Sequence, residues 1–284
     1  MLEIESKALG AELTSIKING QEKLHQGNRV LDQNGNVFWG RHAPVLFPIV
    51  GRLKDDYTII NGQECKMTQH GFARDMEFET LKKENNIHEY LLRFNQETLD
   101  KFPYRFELYI KYVVMEDVLK VFYIVKNVDN KEIEFGIGGH PAFYINPLCN
   151  NNLIFEKEEH KIQFLQLENG LICDDNSFVK SRFTNNQVIH INEETFTHDA
   201  IIMENIESNM ISLTSDGNKI LDFDFSSFPK LAVWSKMGAP FVCIEPWFTT
   251  ADTIDSSHRF CDKNSICLEK NKEFQCSYQI KFYG

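Results

Sequence analysis

No stretch of this 284-residue chain is apolar enough, over the roughly 18 residues needed, to cross a bilayer. The first residues, Met1 to Glu5, lack the charged start and apolar core of a signal peptide. No basic cluster offsets a net charge of -11, which excludes nucleic acid and anionic membrane surfaces as partners. Together these absences predict a soluble, cytoplasmic chain. The seven cysteines are odd in number and scattered, with no Cys-x-x-Cys pair, so a disulfide framework is not expected. His258, Cys261, Cys267 and Cys276 fit no zinc spacing and read as buried thiols beside a histidine. There is no Walker or dinucleotide phosphate loop, no nucleophile-elbow serine or cysteine, and no His-Glu-x-x-His. Nucleotide chemistry and covalent hydrolysis lose their usual carriers. No Pro/Gly/Ser linker or break in composition divides the chain, which predicts one domain over 1–284.

What is present is β pattern almost throughout. Asn19-Gly20, Asn61-Gly62 and Asp216-Gly217 each join two strand-like runs, and each dipeptide is a strong hairpin signal. Phe106, Leu108, Ile110, Tyr112 and Val114 alternate with polar residues, and a second run follows the Glu116-Asp117 turn. Phe274, Cys276, Tyr278, Ile280 and Phe282 alternate near the end, placing Cys276 among core-facing side chains. Only short helical turns are expected, around 96–101 and 192–196. Many short strands with frequent turns predict an all-β fold, a large antiparallel β-sandwich.

Irregular segments interrupt the pattern, and three of them set an ionisable residue beside Gly or Pro. In Phe135-Gly136-Ile137-Gly138-Gly139-His140-Pro141-Ala142-Phe143, glycines predict close backbone approach and the proline restrains His140. Imidazole titrates near neutrality and can give or take a proton. Glu245 ends the apolar run Phe241-Val242-Cys243-Ile244 and precedes Pro246-Trp247. A carboxylate there is costly to bury unless paired or used, and burial raises its pKa toward that of a working base. The alternative is a structural ion pair with Arg52 or Arg74. Arg52, His70, Arg74 and Asp199 add donors and acceptors, while Trp247, Phe143, Phe72 and Trp39 add flat faces. A polyhydroxylated ligand needs both. His42 and His198 are weaker candidates. His140, His70, His42 and Glu245 would form a metal site only by chance of folding, so neither metal nor cofactor is expected.

Five motifs, taken in order, resemble the galactose mutarotase, or aldose 1-epimerase, family, and its shorter LacX-type branch in particular. They are Pro48-Ile49-Val50-Gly51-Arg52, Gln69-His70-Gly71-Phe72-Ala73-Arg74-Asp75, Gly138-Gly139-His140-Pro141-Ala142-Phe143, His198-Asp199-Ala200 and Ile244-Glu245-Pro246-Trp247. The resemblance implies a galactose-mutarotase-like β-supersandwich with its active site in a cleft on one sheet. It implies cofactor-independent interconversion of the α and β anomers of a hexose, with Glu245 as general base and His140 as general acid. Arg52, His70 and Asp199 resemble the residues that hold sugar hydroxyls. Around His140, Gly-Gly-His-Pro-Ala-Phe replaces the Asn-His-x-Tyr-Phe context of the longer mutarotases. Two alternatives remain: a hexose-6-phosphate 1-epimerase, in which Arg52 and Arg74 grip a phosphate, and a non-catalytic sugar-binding or regulatory module. The expected partner is a small sugar, free or phosphorylated; oligomeric state is not legible.

Overall fold

A computed structural model describes residues 1–173, 183–184 and 186–283. Almost every element is an antiparallel strand, as the alternation predicts. Among the described residues, ten strands form one large sheet, running from Phe183–Thr184 at one edge to Glu79–Glu84 at the other. Its centre is Glu273–Phe282, Val118–Asn127 and Phe106–Met115, paired in continuous register. Phe106, Leu108, Ile110 and Tyr112 turn inward with Cys276, Tyr278, Ile280 and Phe282. Removing these side chains from water is the main stabilising term, at roughly 25 cal/mol per Å² of apolar surface.

A second sheet of eight strands packs against the first. Through it run Gln163–Glu168, Ile201–Glu204, Lys230–Trp234, Phe241–Trp247, Gly138–Gly139 and Val45–Leu46. Val242 and Ile244 enter the main core, whereas Phe241, Cys243 and Trp247 pack on the opposite side of the same strand. That opposite side carries the candidate cleft. A three-stranded sheet, Leu2–Ser6, Leu13–Ile18 and Gln21–Glu22, is bound to the large sheet by polar contacts. The Tyr112 hydroxyl donates to the Ala11 carbonyl at 2.7 Å, and Ser6 Oγ meets Tyr90 Oη at 2.7 Å.

The hairpin dipeptides turn as expected, with φ of 51° and 80° at Asn19-Gly20, 52° and 80° at Asn61-Gly62, and 48° and 79° at Asp216-Gly217. Two positive φ values are what a type I′ turn requires. The expected helical turn at 96–101 forms as Gln96–Lys101, capped reciprocally by Asn95 and Thr98. The segment 192–196 makes turns instead, because Thr195 and Asn192 side chains satisfy the local backbone in place of a helix. The thiol reading needs correction. Cys276 is buried, but Cys261 and Cys267 are exposed, on a 3-10 turn and on the outward position of a short strand. Among the described residues no helix is long and apolar enough to cross a membrane.

Candidate active site

The cleft is organised by how closely its backbones approach. A Cβ on Gly139 would lie 2.7 Å from Tyr123 Oη and 3.2 Å from a Tyr278 ring carbon, and one on Gly136 would overlap Thr249 Oγ1. Glycine lets the 135–140 segment pass over the large sheet's aromatic side chains and deliver His140 to the outer face. Gly138 pairs with Leu46 on one side and Trp247 on the other, which draws the Glu245 strand alongside.

His140 and Glu245 therefore meet. Nε2 of His140 lies 3.3 Å from Oε2 of Glu245, and both side chains are buried. Trp39 stacks on the imidazole at 4.8 Å between centroids, and Trp234 meets it edge-on at 5.9 Å. Burial lowers the His140 pKa to about 3, helped by the charges of Arg74 and Arg41. Burial drives Glu245 well above the ordinary carboxyl range, and the Asp199 charge adds to this. The Trp247 indole N–H favours the Glu245 carboxylate in part without forming a regular hydrogen bond. Both shifts act in the same sense, favouring a neutral pair of carboxylic acid beside imidazole.

His70 stands at right angles to His140, with centroids 5.5 Å apart. It sits at φ 68°, in the left-handed region, because two bonds hold it there. Its backbone N–H donates to the Gly51 carbonyl at 2.8 Å, and its Nδ1 accepts from the Gly51 N–H at 3.1 Å. That acceptance fixes the tautomer with hydrogen on Nε2. Burial, followed by the His140, Arg74 and Arg41 charges, keeps His70 neutral. It is a fixed neutral donor at the cleft.

These groups line a cavity of about 450 Å³ together with Arg41, Arg74, Asp199, Trp234 and Trp247, a size suited to a small ligand. A larger groove of about 1010 Å³ adjoins it, sharing Gln69, Gly170 and Asp199, but neither His140 nor Glu245 lines it.

Of the residues expected at the site, His140, Glu245, His70, Arg74, Asp199 and Trp247 line this cavity, as does Trp39. Asp199 is exposed at the rim, its Oδ1 accepting from the Ala200 N–H at 2.8 Å. Arg52 lies outside. Its guanidinium binds Asp56 at 2.9 and 3.1 Å and the Asn169 carbonyl at 3.1 Å, on the wall of the outer groove. Phe143 lies outside as well. Its neighbour Ala142 takes the cleft side with Cys243, so strand alternation sends the Phe143 ring inward against Phe223 and Phe282. Phe72 packs against Phe47 and Phe106 and reaches only the outer groove. His42 turns toward Glu12, away from the cleft.

Among the polar and aromatic lining residues, Arg41 and Trp234 were not legible. Arg41, held by Asp75 at 2.9 Å, lies two residues after Trp39, whose ring was read as a flat face without any signal for the arginine. Trp234 ends an ordinary-looking strand and carries no local signal.

The paired sheets and the cleft on the outer face of one of them define a galactose mutarotase-like β-supersandwich. The aldose 1-epimerase family model matches residues 2–281, and the chain belongs to that family. Protein LacX (plasmid) of Lactococcus lactis subsp. lactis is 30% identical over 286 residues, covering 93% of this chain and 91% of LacX. A galactose mutarotase related enzyme from Lactobacillus acidophilus superposes with a TM-score of 0.88 at 29% identity, over 100% of this chain and 95% of its own. A galactose mutarotase-like protein from Lactobacillus casei gives 0.86 at 26% identity, over 99% and 97%.

Proposed function

We propose that the protein is a cofactor-independent aldose 1-epimerase that interconverts the α and β anomers of a hexose. The observation that carries this reading is the 3.3 Å approach of His140 to Glu245 inside a cavity of small-ligand size. Anomerisation needs a proton removed from O1 and one delivered to O5. Both oxygens are bonded to C1, so the acid and the base must converge on one carbon. Glu245 takes the O1 proton as His140 protonates O5, and the C1–O5 bond breaks to give the open aldehyde. Rotation about C1–C2 presents the other carbonyl face, and closure with the roles reversed returns both protons. The pair begins and ends with one proton between them, and no electrons change hands. The resting tautomer, carboxylic acid beside imidazole, differs from the reacting one by a single transfer within the pair.

His70 Nε2–H, Asp199 and Arg74 are the groups we assign to sugar hydroxyls, with the Trp247 and Trp39 faces available to C–H surfaces. One buried cluster runs from Leu2 to Phe282, which supports treating 1–284 as one domain. The Glu245→Gln variant keeps the shape and removes the base; it should lose about 10²–10⁴-fold in kcat/KM for anomer exchange. A wild-type rate would refute the assignment.

A second reading is favoured by Arg41 and Arg74, which both line the cavity. Arg41 uses one bond to Asp75, and Arg74 donates Nη2 to the Gln69 carbonyl at 2.6 Å, so each retains free donors. Two guanidinium groups suit a phosphorylated hexose. Turnover of glucose against glucose 6-phosphate discriminates. Loss in Arg74→Ala confined to the phosphorylated sugar selects the second reading, and equal loss on both selects the first.

A further inference from the structure

Cys243 takes no part in the chemistry above, yet strand alternation sets it on the same face as Glu245, two residues along. It is fully buried, beside Ala142, Ala239 and Phe241. The ligating atoms of His140, Cys243 and Glu245 all lie within 4.8 Å of one another, and the His140–Glu245 edge is 3.3 Å. A tetrahedral site with bonds of about 2.0–2.3 Å has edges of about 3.3–3.7 Å, so one edge is already formed and the other two are no longer than 4.8 Å. Glu245 Oε2, the oxygen facing His140 Nε2, is buried without a hydrogen-bond partner.

We propose that His140, Cys243 and Glu245 form a binding site for a divalent cation of the zinc class, and that filling it blocks the acid–base pair. A thiolate and a carboxylate neutralise a doubly charged ion, and neutral imidazole supplies the third bond. The filled site carries no net charge, which a buried position tolerates. A sulfur, nitrogen and oxygen donor set suits zinc and disfavours magnesium and calcium, which take oxygen ligands. His140 and Glu245 open on the cavity, so the fourth position is available to water or a sugar hydroxyl. Binding releases the thiol proton and the proton held by the His140–Glu245 pair to solvent, so affinity rises with pH. The sequence spacing did not predict this site, because His140 lies in a distant segment outside the Phe241–Trp247 strand that carries the other two ligands.

Cobalt(II) tests it, because thiolate ligation gives a near-ultraviolet charge-transfer band that is read without turnover. The full-length chain, kept reduced by a phosphine, should develop this band and saturate at about one equivalent, with zinc displacing it. Cys243→Ser should abolish the band, and Glu245→Gln should weaken cobalt binding by more than about 10-fold. Cys243→Ala, which matches its Ala142 and Ala239 neighbours, serves if the serine variant does not fold. Absence of the band in the wild type overturns the proposal. So does a band that survives the loss of Cys243, which would place cobalt on exposed Cys261 or Cys267. The proposed epimerase activity is scored separately on the metal-free chain: added zinc should stop its anomer exchange, whereas a metal-free chain with no anomer exchange refutes the enzyme reading and leaves the cobalt result standing.

Discussion

At the scale of single residues, burial is the force that tunes the cleft. It acts in opposite directions on the two partners, holding a second proton off His140 and the last proton on Glu245. Independent groups at their ordinary values of 6.5 and 4.5 would give activity confined between those limits. A coupled pair behaves differently, because its apparent values belong to both members. Activity should fall on the acid side only as pH approaches the lowered His140 value of about 3. On the alkaline side it should fall only well above the ordinary carboxyl range. A broad plateau in kcat/KM is therefore expected, and a narrow bell between 4.5 and 6.5 would contradict the coupling. Asp199→Asn removes a charge that holds Glu245 up, so it should move the alkaline limb to lower pH as well as raise KM.

At the scale of elements, the Gly138–Gly139 strand fixes the cleft geometry. Gly139→Ala introduces a methyl 2.7 Å from Tyr123 Oη, between sheets that have no slack. Overpacking of this kind costs about 1–3 kcal/mol, read as a lower urea midpoint. Because His140 follows directly, kcat should fall with stability. Unchanged stability would mean that the sheets can part at this point. Much at this scale was legible in the sequence. Asn-Gly and Asp-Gly pairs marked the hairpins, and alternation marked the central strands, because both depend on neighbouring residues only. Phe143 shows the limit. Its motif suggested a ligand face, but which side of a three-residue strand faces the cleft is decided by pairing with Phe241–Cys243, far along the chain. Arg52 failed for a related reason. Its partner Asp56 is near in sequence, but the pairing depends on a 3-10 turn that no pattern announced.

At the scale of the whole molecule, Glu12 ties the N-terminal sheet to the body. Its carboxylate accepts the His42 N–H at 2.7 Å and pairs with Lys7 at 2.5 Å. Burial alone would raise its pKa, but hydrogen bonds from His42 and Lys7 outweigh it and bring it from 4.5 to about 2. A lowered pKa in the folded state stabilises the fold above pH 4.5, and that contribution is lost as pH falls through about 2. It is on the order of 3 kcal/mol at neutral pH. Glu12→Gln should lower stability at pH 7 and narrow the gap from wild type at pH 2, as read by chemical denaturation. A pH-independent difference would contradict the ion-pair role. The chemistry-bearing residues could be picked out one by one from their Gly and Pro neighbours, but their convergence could not. Arg41 and Trp234 reach the cleft only because strands from distant parts of the chain lie side by side.

The most direct test of the central claim is the rate of anomer exchange of fresh α-glucose and α-galactose, followed by proton NMR in wild type, Glu245→Gln, His140→Asn and the double variant. If His140 and Glu245 work as a unit, each single variant loses about 10²–10⁴-fold, and the double variant is little slower than the worse single. A single variant that exchanges anomers at the wild-type rate would contradict it.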